Sequence, residues 1–273
     1  MTMTRGEAEA ILSEAGAGGD DGFPLLEAAI ACAEHDVPFR DAEPARLLGR
    51  VAAERLAERL PVESPDEALA ESLSGDLRLN GDLLNHDDPA STDLIDIAES
   101  RRGLSAALAI FYLHAARANG LNARGVDFPG HVLLRVDTRD GPVALDPFSQ
   151  GRLVLPSELS RRALRAGLTP LAADRLDLLM APISDRRLLI RLQNLIFVRA
   201  QRFGDPDGAE RAALRSALLD PEDHRPWLDV AAAREAQGAL AGALDALARA
   251  HAIDGTASAR AEAARKRVML RLN

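Results

Sequence analysis

Apolar residues recur every three or four positions through the first third of the chain, over residues 25–36 and again over residues 47–60. This spacing predicts amphipathic helices that bury one face. Ser64, followed three residues later by Glu67, predicts a capping box at the start of a further helix. Cys32 lies on the apolar stripe of the first segment, so we expect a buried and unreactive thiol.

The pattern changes in the middle of the chain. Residues 80–103 are dense in Asn, Asp, Gly, Pro and Ser and predict a loop region. Residues 103–119 are almost wholly apolar and predict a buried helix. Three short runs rich in Val and Leu follow, and we interpret them as strands: ARGVDF, HVLLRV and PVALDPF. This part is therefore predicted to be α+β, with one buried helix packed on a small antiparallel sheet.

From about residue 186 the pattern is helical again, and it repeats. Four pairs of residues are separated by the same interval of 34 positions: Gly204 and Gly238, Ala209 and Ala243, Ala212 and Ala246, Asp220 and Asp254. That interval is the period of tetratricopeptide helix pairs, and an Ala-rich antiparallel helix bundle is the alternative. We expect an N-terminal helical region over residues 1–80 packed on the core, a core over 81–185, and an all-α repeat domain over 186–273.

Composition narrows the classes of function. The formal net charge is -9, and no basic stripe with interleaved aromatics occurs, so we expect neither a nucleic-acid nor a membrane partner. A single cysteine cannot form an internal disulfide, which favours a reducing compartment. The N-terminal segment lacks the apolar run of a secretory signal, and no uninterrupted apolar stretch of about 18 residues could span a bilayer. We expect a cytoplasmic protein.

A histidine and an aspartate follow the buried helix in the order of a cysteine acyl-transfer site. His131 opens one predicted strand and Asp146 lies near the end of the next. In such sites a nucleophilic Cys begins a buried helix, where backbone N–H groups and the helix dipole favour the thiolate. The His then moves the proton, and the Asp orients the His. Here the helix start carries Ser105 instead.

Whether His131 and Asp146 face each other depends on the turn between their strands. Directly opposed residues share one face of a sheet, and these two are opposed only if residues 137–140 form a four-residue loop. The competing tight turn at Asp140-Gly141 would set Asp146 opposite Arg135, about 13 Å along the strand from His131. We therefore expect the four-residue loop, and a hydrogen bond between His131 and Asp146.

Three sequence blocks carry a resemblance to a known family. They are Glu99, Arg101, Arg102 and Gly103 before the helix, then Pro129-Gly130-His131, then Asp146-Pro147-Phe148. In this order and at this spacing the chain resembles, over roughly residues 25–255, the transglutaminase-like family of bacterial SirB-type proteins. The resemblance implies a papain-like α+β core over residues 81 to about 180, followed by C-terminal tetratricopeptide repeats.

The resemblance does not imply catalysis, because such members commonly lack the cysteine of true transglutaminases. Aligning Gly103 with the glycine of the Gly-x-Cys motif puts Ser105 in the cysteine's place, and the chain also departs from the Gly-Ile-Pro more common in the family. Ser105 is then either a cap or small packing residue satisfied by a backbone group, or the nucleophile of a triad with His131 and Asp146. The triad needs a close Ser–His contact and an oxyanion hole, because an alcohol is a far weaker acid than a thiol.

The other residues of these blocks are assigned supporting roles. We expect Glu99, Arg101 and Arg102 to hold the scaffold, with an arginine bonded to a carboxylate or to loop carbonyls. Gly103 and Phe148 complete this set of binding or structural residues.

Two functions of different classes follow from these residues. The first is a non-catalytic transglutaminase-like protein that acts as a regulatory or adaptor module and binds a protein or peptide through its C-terminal repeats. The second is a serine-dependent hydrolase or acyltransferase that uses Ser105, His131 and Asp146. A purely structural subunit and a homodimer formed through the repeats are further possibilities. We expect no cofactor and no metal, with the run from His86 to Asp88 forming a solvated turn.

Overall fold

The computed structural model describes residues 2–85, 87–254 and 259–272. Four helices form the N-terminal part: α1 (Arg5–Ala17), α2 (Leu25–Asp36), α3 (Glu43–Arg59) and α4 (Pro65–Ala70), the last continuing as a π-helical segment over Glu71–Asp76. The helical spacing of the sequence correctly placed α2 and α3. Cys32 is buried on α2.

The capping box lies on a different helix from the one predicted. Thr4 and Glu7 form it at the start of α1. Ser64 is the residue before α4, but its side chain makes no capping hydrogen bond. Pro65 begins α4 instead, and its fixed φ suits a first helical turn without a side-chain cap.

The predicted loop region over residues 80–103 contains regular structure, so that prediction is wrong in part. It holds α5 (Leu94–Ser100) and a short parallel pair, β1 (Asn80–Gly81) and β2 (Arg102–Gly103). Some of the polar residues cap these elements, and residues 82–85 form the loop after β1. Asp93, for example, accepts hydrogen bonds from the N–H groups of Ile95 and Asp96 at the start of α5.

A buried helix on a small antiparallel sheet forms the centre of the molecule, as the sequence predicts. The helix is α6 (Ser105–Ala118), which is buried continuously from its first residue to Leu113. The sheet has four strands that neighbour one another in chain order: β3 (Ala123–Phe128), β4 (His131–Thr138), β5 (Gly141–Asp146) and β6 (Arg152–Leu153). The last of these strands was not predicted.

The turn between β4 and β5 corrects the expected register. Thr138 pairs with Gly141, so the connection is a two-residue turn, and the four-residue loop over 137–140 is wrong. The two turn residues are Arg139 and Asp140, one position earlier than the Asp140-Gly141 turn that was the alternative. Continuing this register would put Asp146 opposite Leu133, two positions from His131. Diagonal neighbours of this kind lie close enough for long side chains to meet.

Each face of the sheet has its own apolar layer. Side chains such as Val132, Leu134 and Leu145 join the core around α6. The alternate positions, Phe128 and Leu133 among them, pack beneath three short helices, α7 (Pro156–Arg165), α8 (Pro170–Ala173) and α9 (Leu176–Leu179). Successive side chains along a strand point to opposite faces of the sheet, and here both faces are buried.

Helices make up the rest of the described chain. They are α10 (Asp185–Phe203), α11 (Pro206–Leu219), α12 (Arg225–Ala236), α13 (Leu240–Ile253) and α14 (Ala259–Leu272). Helices α11 and α13 begin 34 residues apart and also end 34 residues apart. Gly204 and Gly238, one interval apart, both have positive φ, at 69° and 78°, which glycine adopts without strain.

Arg186 at the start of α10 ties the N-terminal and C-terminal helices together. Its guanidinium donates to the carbonyl oxygens of Gly16 at 2.6 Å and Leu219 at 2.9 Å, and it also contacts Gly18. These carbonyls lie at helix ends, which lack intrahelical partners. None of the helices described is both long enough and apolar enough to cross a membrane.

Candidate functional site

Asp146, at the end of β5, is a buried carboxylate with a full set of donors. It is 1% exposed. Oδ1 lies 2.7 Å from His131 Nε2 and accepts from the N–H groups of Phe148 and Ser149; Oδ2 accepts from Ser149 Oγ at 2.9 Å and Arg162 at 2.7 Å. Burial opposes the negative charge, but the hydrogen bonds from His131, Arg162 and Ser149 outweigh it and hold the pKa of Asp146 well below its usual range.

The Pro129-Gly130 turn positions His131 at the first residue of β4. Gly130 has a φ of 73°, a value that few other residues adopt without strain. The imidazole stands edge-on to Phe148, with ring centroids 5.7 Å apart and an interplanar angle of 87°. Because Nε2 is bound to Asp146, the nitrogen left for other chemistry is Nδ1, which has no hydrogen-bond partner among the described residues.

Ser105 is the first residue of α6, and its hydroxyl is engaged by a backbone group. Its Oγ accepts a hydrogen bond from the N–H of Val132 at 3.1 Å. Within the described residues no hydrogen bond joins Ser105 to His131. The residue before the helix, Leu104, occupies the capping position and makes no side-chain cap. Ser105 therefore links the helix start to β4 rather than capping its own helix.

The sequence did not point to Arg162, which completes the surroundings of Asp146. Arg162 lies on α7, where it also bonds to Glu158 at 2.8 Å, and Glu158 in turn binds Arg152 at 2.6 Å. Its only sequence signal is the four-residue spacing from Glu158, which predicts a helical ion pair. Nothing in that spacing indicates that the guanidinium reaches a carboxylate on β5.

The arginine scaffold expected before α6 is not formed, which corrects that prediction. Glu99 and Arg102 are exposed, and neither side chain makes a hydrogen bond within the described chain. Arg101 ends α5 with a left-handed φ of 61°, and its Nη1 is buried without a hydrogen-bond partner. Arginines from other parts of the chain bind carboxylates in this region; Arg40, for example, contacts Asp93 at 2.9 Å.

Gly103 supports the site through close packing. A Cβ at this position would lie 2.6 Å from Ile97 Cδ1, so any larger residue here would displace the Ile97 side chain of α5. The Gly103 carbonyl accepts from the N–H of Asp82. This contact holds the loop after β1 beside the start of α6.

A cleft of about 330 Å³ opens at Ser105 and His131. Its walls come from the loop after β1, the start of α6, the turn before β4, and α10: Asp82, Leu83, Leu104, Ser105, Ala106, Gly130, His131, Val132, Phe148, Arg191 and Leu195. Most of these side chains are apolar. The contribution of α10 means that the core and the C-terminal helices together build the cleft.

A second groove, of about 480 Å³, lies between α10 and the turn into α12. Arg191 lines both the groove and the cleft. Its Nε donates to Asp127 on β3 at 2.9 Å. The groove is strongly charged, since its lining also includes Arg187, Asp223 and Arg225.

Two further kinds of reactive group, metal ligands and the thiol of Cys32, were compared with the position of the cleft in the described part of the chain. No group of three or more His, Cys, Asp or Glu side chains in the described ranges could hold a metal ion, and the predicted turn at His86 lies outside those ranges. Cys32 does not line the cleft, and burial raises the pKa of its thiol to about 12. The thiol is therefore protonated near neutrality.

Comparison with known proteins gives the chain a family. Residues 45–194 match the family described as the transglutaminase-like superfamily. A protein of Xylella fastidiosa strain Temecula1, named UPF0162 protein, is 32% identical over 241 residues, and its counterpart in strain 9a5c is 30% identical over 240. Each alignment covers 84% of both chains.

Solved structures are similar at a lower level. Among them is a structure of menin, described as revealing the binding site for the Mixed Lineage Leukemia protein. It superposes with a TM-score of 0.42 at 11% identity, covering 92% of this chain and 70% of the menin chain. The family match and the bacterial relatives agree with the helix, histidine strand and aspartate strand described above, and the chain belongs to the transglutaminase-like superfamily.

Proposed function

We propose that this protein is a non-catalytic transglutaminase-like module that binds a peptide or protein segment. In this proposal the cleft at Ser105 and His131 is the binding site, and the C-terminal helices extend it. The protein then acts as a regulatory or adaptor component rather than as an enzyme.

The hydrogen bond between Ser105 and Val132 carries the proposal. A catalytic serine needs its hydroxyl proton directed at the base, within hydrogen-bond reach. Here the Ser105 oxygen accepts from the Val132 N–H at 3.1 Å and makes no hydrogen bond to His131. An N–H donor at the oxygen also withdraws electron density from it, which weakens it as a nucleophile.

The contacts of Asp146 favour a structural role for the dyad. A carboxylate that only oriented His131 would not need Arg162 on its second oxygen, yet that contact is 2.7 Å long. Asp146 also accepts from the N–H groups of Phe148 and Ser149, which fixes the chain as it leaves β5. The same geometry that serves catalysis in an acyl-transfer enzyme thus stabilises the fold here.

The helical repeat supports binding through the C-terminal part. We propose that α10–α14 are tetratricopeptide-like and that the chain is of the SirB type. The 34-residue offset between α11 and α13 supports this, and stacked helix pairs form extended surfaces for peptides. Arg191 borders both the groove and the cleft, so one extended peptide could occupy both. The lone buried cysteine agrees with a cytoplasmic location.

A serine-dependent hydrolase or acyltransferase is the second candidate. It is favoured by the bond from His131 Nε2 to Asp146, which leaves Nδ1 open in the cleft that Ser105 also lines. Activity requires Ser105 to leave Val132 and turn towards Nδ1. The Ser105 and Ala106 N–H groups at the start of α6 would then have to receive an oxyanion.

A random peptide pool passed over the immobilised full chain tests the binding proposal. We expect a defined set of sequences to be retained and identified by mass spectrometry. Leu195→Arg places a long charged side chain in the cleft and should abolish retention. The matched control is Gln201→Arg, at an exposed position on the same helix, and it should retain the same sequences. Equal retention by both variants, with circular dichroism showing both folded, would contradict binding in the cleft.

A further inference from the structure

We infer that the cleft binds a carboxylate group, with the Ser105 hydroxyl as one of its donors. The inference rests on the proposed function, because it names the chemistry of the ligand in the same cleft. It follows from the hydrogen-bonding groups that line the cleft and have no partner within the described chain.

The Ser105 hydroxyl has one proton to donate and no acceptor for it. Its oxygen is occupied as the acceptor for the Val132 N–H, and no other hydrogen bond of the side chain occurs among the described residues. Ser105 is 9% exposed and lines the cleft. A hydroxyl buried to this degree usually donates as well as accepts. The free proton therefore indicates that an acceptor enters from the cleft.

Two backbone donors lie beside it. The N–H groups of Ser105 and Ala106 are in the first turn of α6 and make no hydrogen bond in the described structure. Ala106 is 4% exposed, so little water reaches it. The 14-residue helix also directs the positive end of its dipole to this point.

Arg191 adds a positive group beside these donors. It uses only Nε, on Asp127, which leaves its two terminal nitrogens without a hydrogen bond among the described residues. Asp82 is the acidic residue of the lining, and its Oδ1 accepts from the Leu84 and Asn85 N–H groups of its own loop. Donors therefore outnumber acceptors, as a carboxylate requires.

The rest of the lining favours an apolar group next to the carboxylate. Leu104, Val132, Phe148 and Leu195 form these walls. A volume of about 330 Å³ is at the small end of ligand pockets and admits about two residues of a peptide. A peptide that ends in an aliphatic residue supplies both parts, the apolar side chain and the terminal carboxylate. An acidic side chain beside an apolar residue would supply the same chemistry.

Isothermal titration of the full chain with three matched peptides tests this inference. The peptides are N-acetyl-alanyl-leucine with a free carboxylate, its C-terminal amide, and N-acetyl-glutamyl-leucinamide, whose only acid is on a side chain. We expect the free acid to bind at least about tenfold more tightly than the amide, because a hydrogen bond to a charged group contributes that much. Tighter binding of the glutamyl peptide would support a carboxylate ligand and show that the carboxylate belongs to a side chain rather than to the peptide's C-terminus.

Ser105→Ala supplies the decisive variant. It should weaken binding of the free-acid peptide by about tenfold and leave binding of the amide peptide nearly unchanged. Ser157→Ala, at an exposed position on α7, should change neither affinity. Equal affinities for acid and amide would overturn the carboxylate inference and leave peptide binding intact. If none of the three peptides binds, the carboxylate inference is also overturned. The proposed function is tested separately, by the retention of random peptides on the wild-type chain and on Leu195→Arg.

Discussion

At the scale of single residues, Asp146 is a buried carboxylate surrounded by hydrogen-bond donors. The carboxylate is 1% exposed and accepts five hydrogen bonds, from His131, Arg162, Phe148 N–H, Ser149 N–H and Ser149 Oγ. A buried charge is costly unless its lone pairs are filled in this way. Removal of the carboxylate would leave several donors at once without an acceptor.

Asp146→Ala should lower the free energy of unfolding by about 3 kcal/mol, since it breaks a buried, hydrogen-bonded charge pair. The exposed Asp21→Ala is the control and should stay within about 0.5 kcal/mol of wild type. In a double-mutant cycle with His131→Ala the two losses should be less than additive, because the residues are in contact. Denaturant unfolding of the two single variants and the double variant measures this coupling. Simple additivity would show that the hydrogen bond between His131 and Asp146 contributes nothing.

The stabilisation by Asp146 has a defined dependence on pH. Its pKa is lower in the folded chain than in the unfolded chain, so the unfolded chain binds the proton first as pH falls. The contribution is complete above the unfolded pKa of about 4 and declines below it. The gap in stability between wild type and Asp146→Ala should therefore be constant from pH 5 to 7 and narrow in stronger acid.

At the scale of elements, the junction between α1 and α2 depends on a neutral histidine. His35 on α2 is fully buried, and its Nε2 lies 3.2 Å from Glu9 on α1. Burial, together with the positive charges of Arg215 and Arg5, lowers the pKa of His35 to about 3. The contact with Glu9 is therefore a hydrogen bond from a neutral ring rather than an ion pair.

The free energy of unfolding should accordingly fall as the solution is acidified from pH 7 to pH 5. The unfolded chain takes up a proton on His35 near pH 6.5 and the folded chain does not, so the loss from this residue is about 2 kcal/mol. His114 is half-buried, and burial lowers its pKa, so it adds to the wild-type slope. His35→Gln keeps a hydrogen-bond donor for Glu9 and should remove the contribution of His35 to the pH dependence of the free energy of unfolding. An unchanged slope in that variant would mean that the ring is protonated in the folded state.

The elements also show what sequence can and cannot predict here. Helical spacing placed α2, α3 and α6, and runs of Val and Leu placed β3 to β5, because these segments bury their side chains in a regular pattern. Helix α5 was missed because its polar neighbours, Asp93 among them, predict a loop as readily as a cap. The turn between β4 and β5 was misplaced because the prediction assumed that His131 and Asp146 must be directly opposed, whereas side chains two positions apart also meet across two strands.

Only those residues of the candidate site that lie in short sequence motifs could be predicted from the sequence. His131 and Asp146 come from two adjacent strands, and their order along the chain was enough to bring them together. Arg162, Arg191 and Leu195 reach the site from helices that follow it in sequence. Their positions depend on how α7 and α10 pack on the sheet, and no spacing in the sequence specifies that packing.

At the scale of the whole molecule, the cleft belongs to no single segment. Its floor is the start of α6 and the turn before β4, one wall is the loop after β1, and another is α10. Arg186 fixes the start of α10 to the ends of α1 and α11. The N-terminal helices, the core and the C-terminal helices thus hold one another in place around the cleft.

If Ser105 is a binding group and not a nucleophile, as we propose, covalent reagents directed at catalytic serines should leave it unmodified. The full chain is incubated with a fluorophosphonate beside an active serine hydrolase, and the intact masses are measured. We predict that the hydrolase gains one adduct and that this protein gains none, because the Ser105 oxygen accepts from Val132 and is not bonded to His131. A stoichiometric adduct that persists in Ser157→Ala and disappears in Ser105→Ala would show that Ser105 is a nucleophile and identify a serine-dependent enzyme.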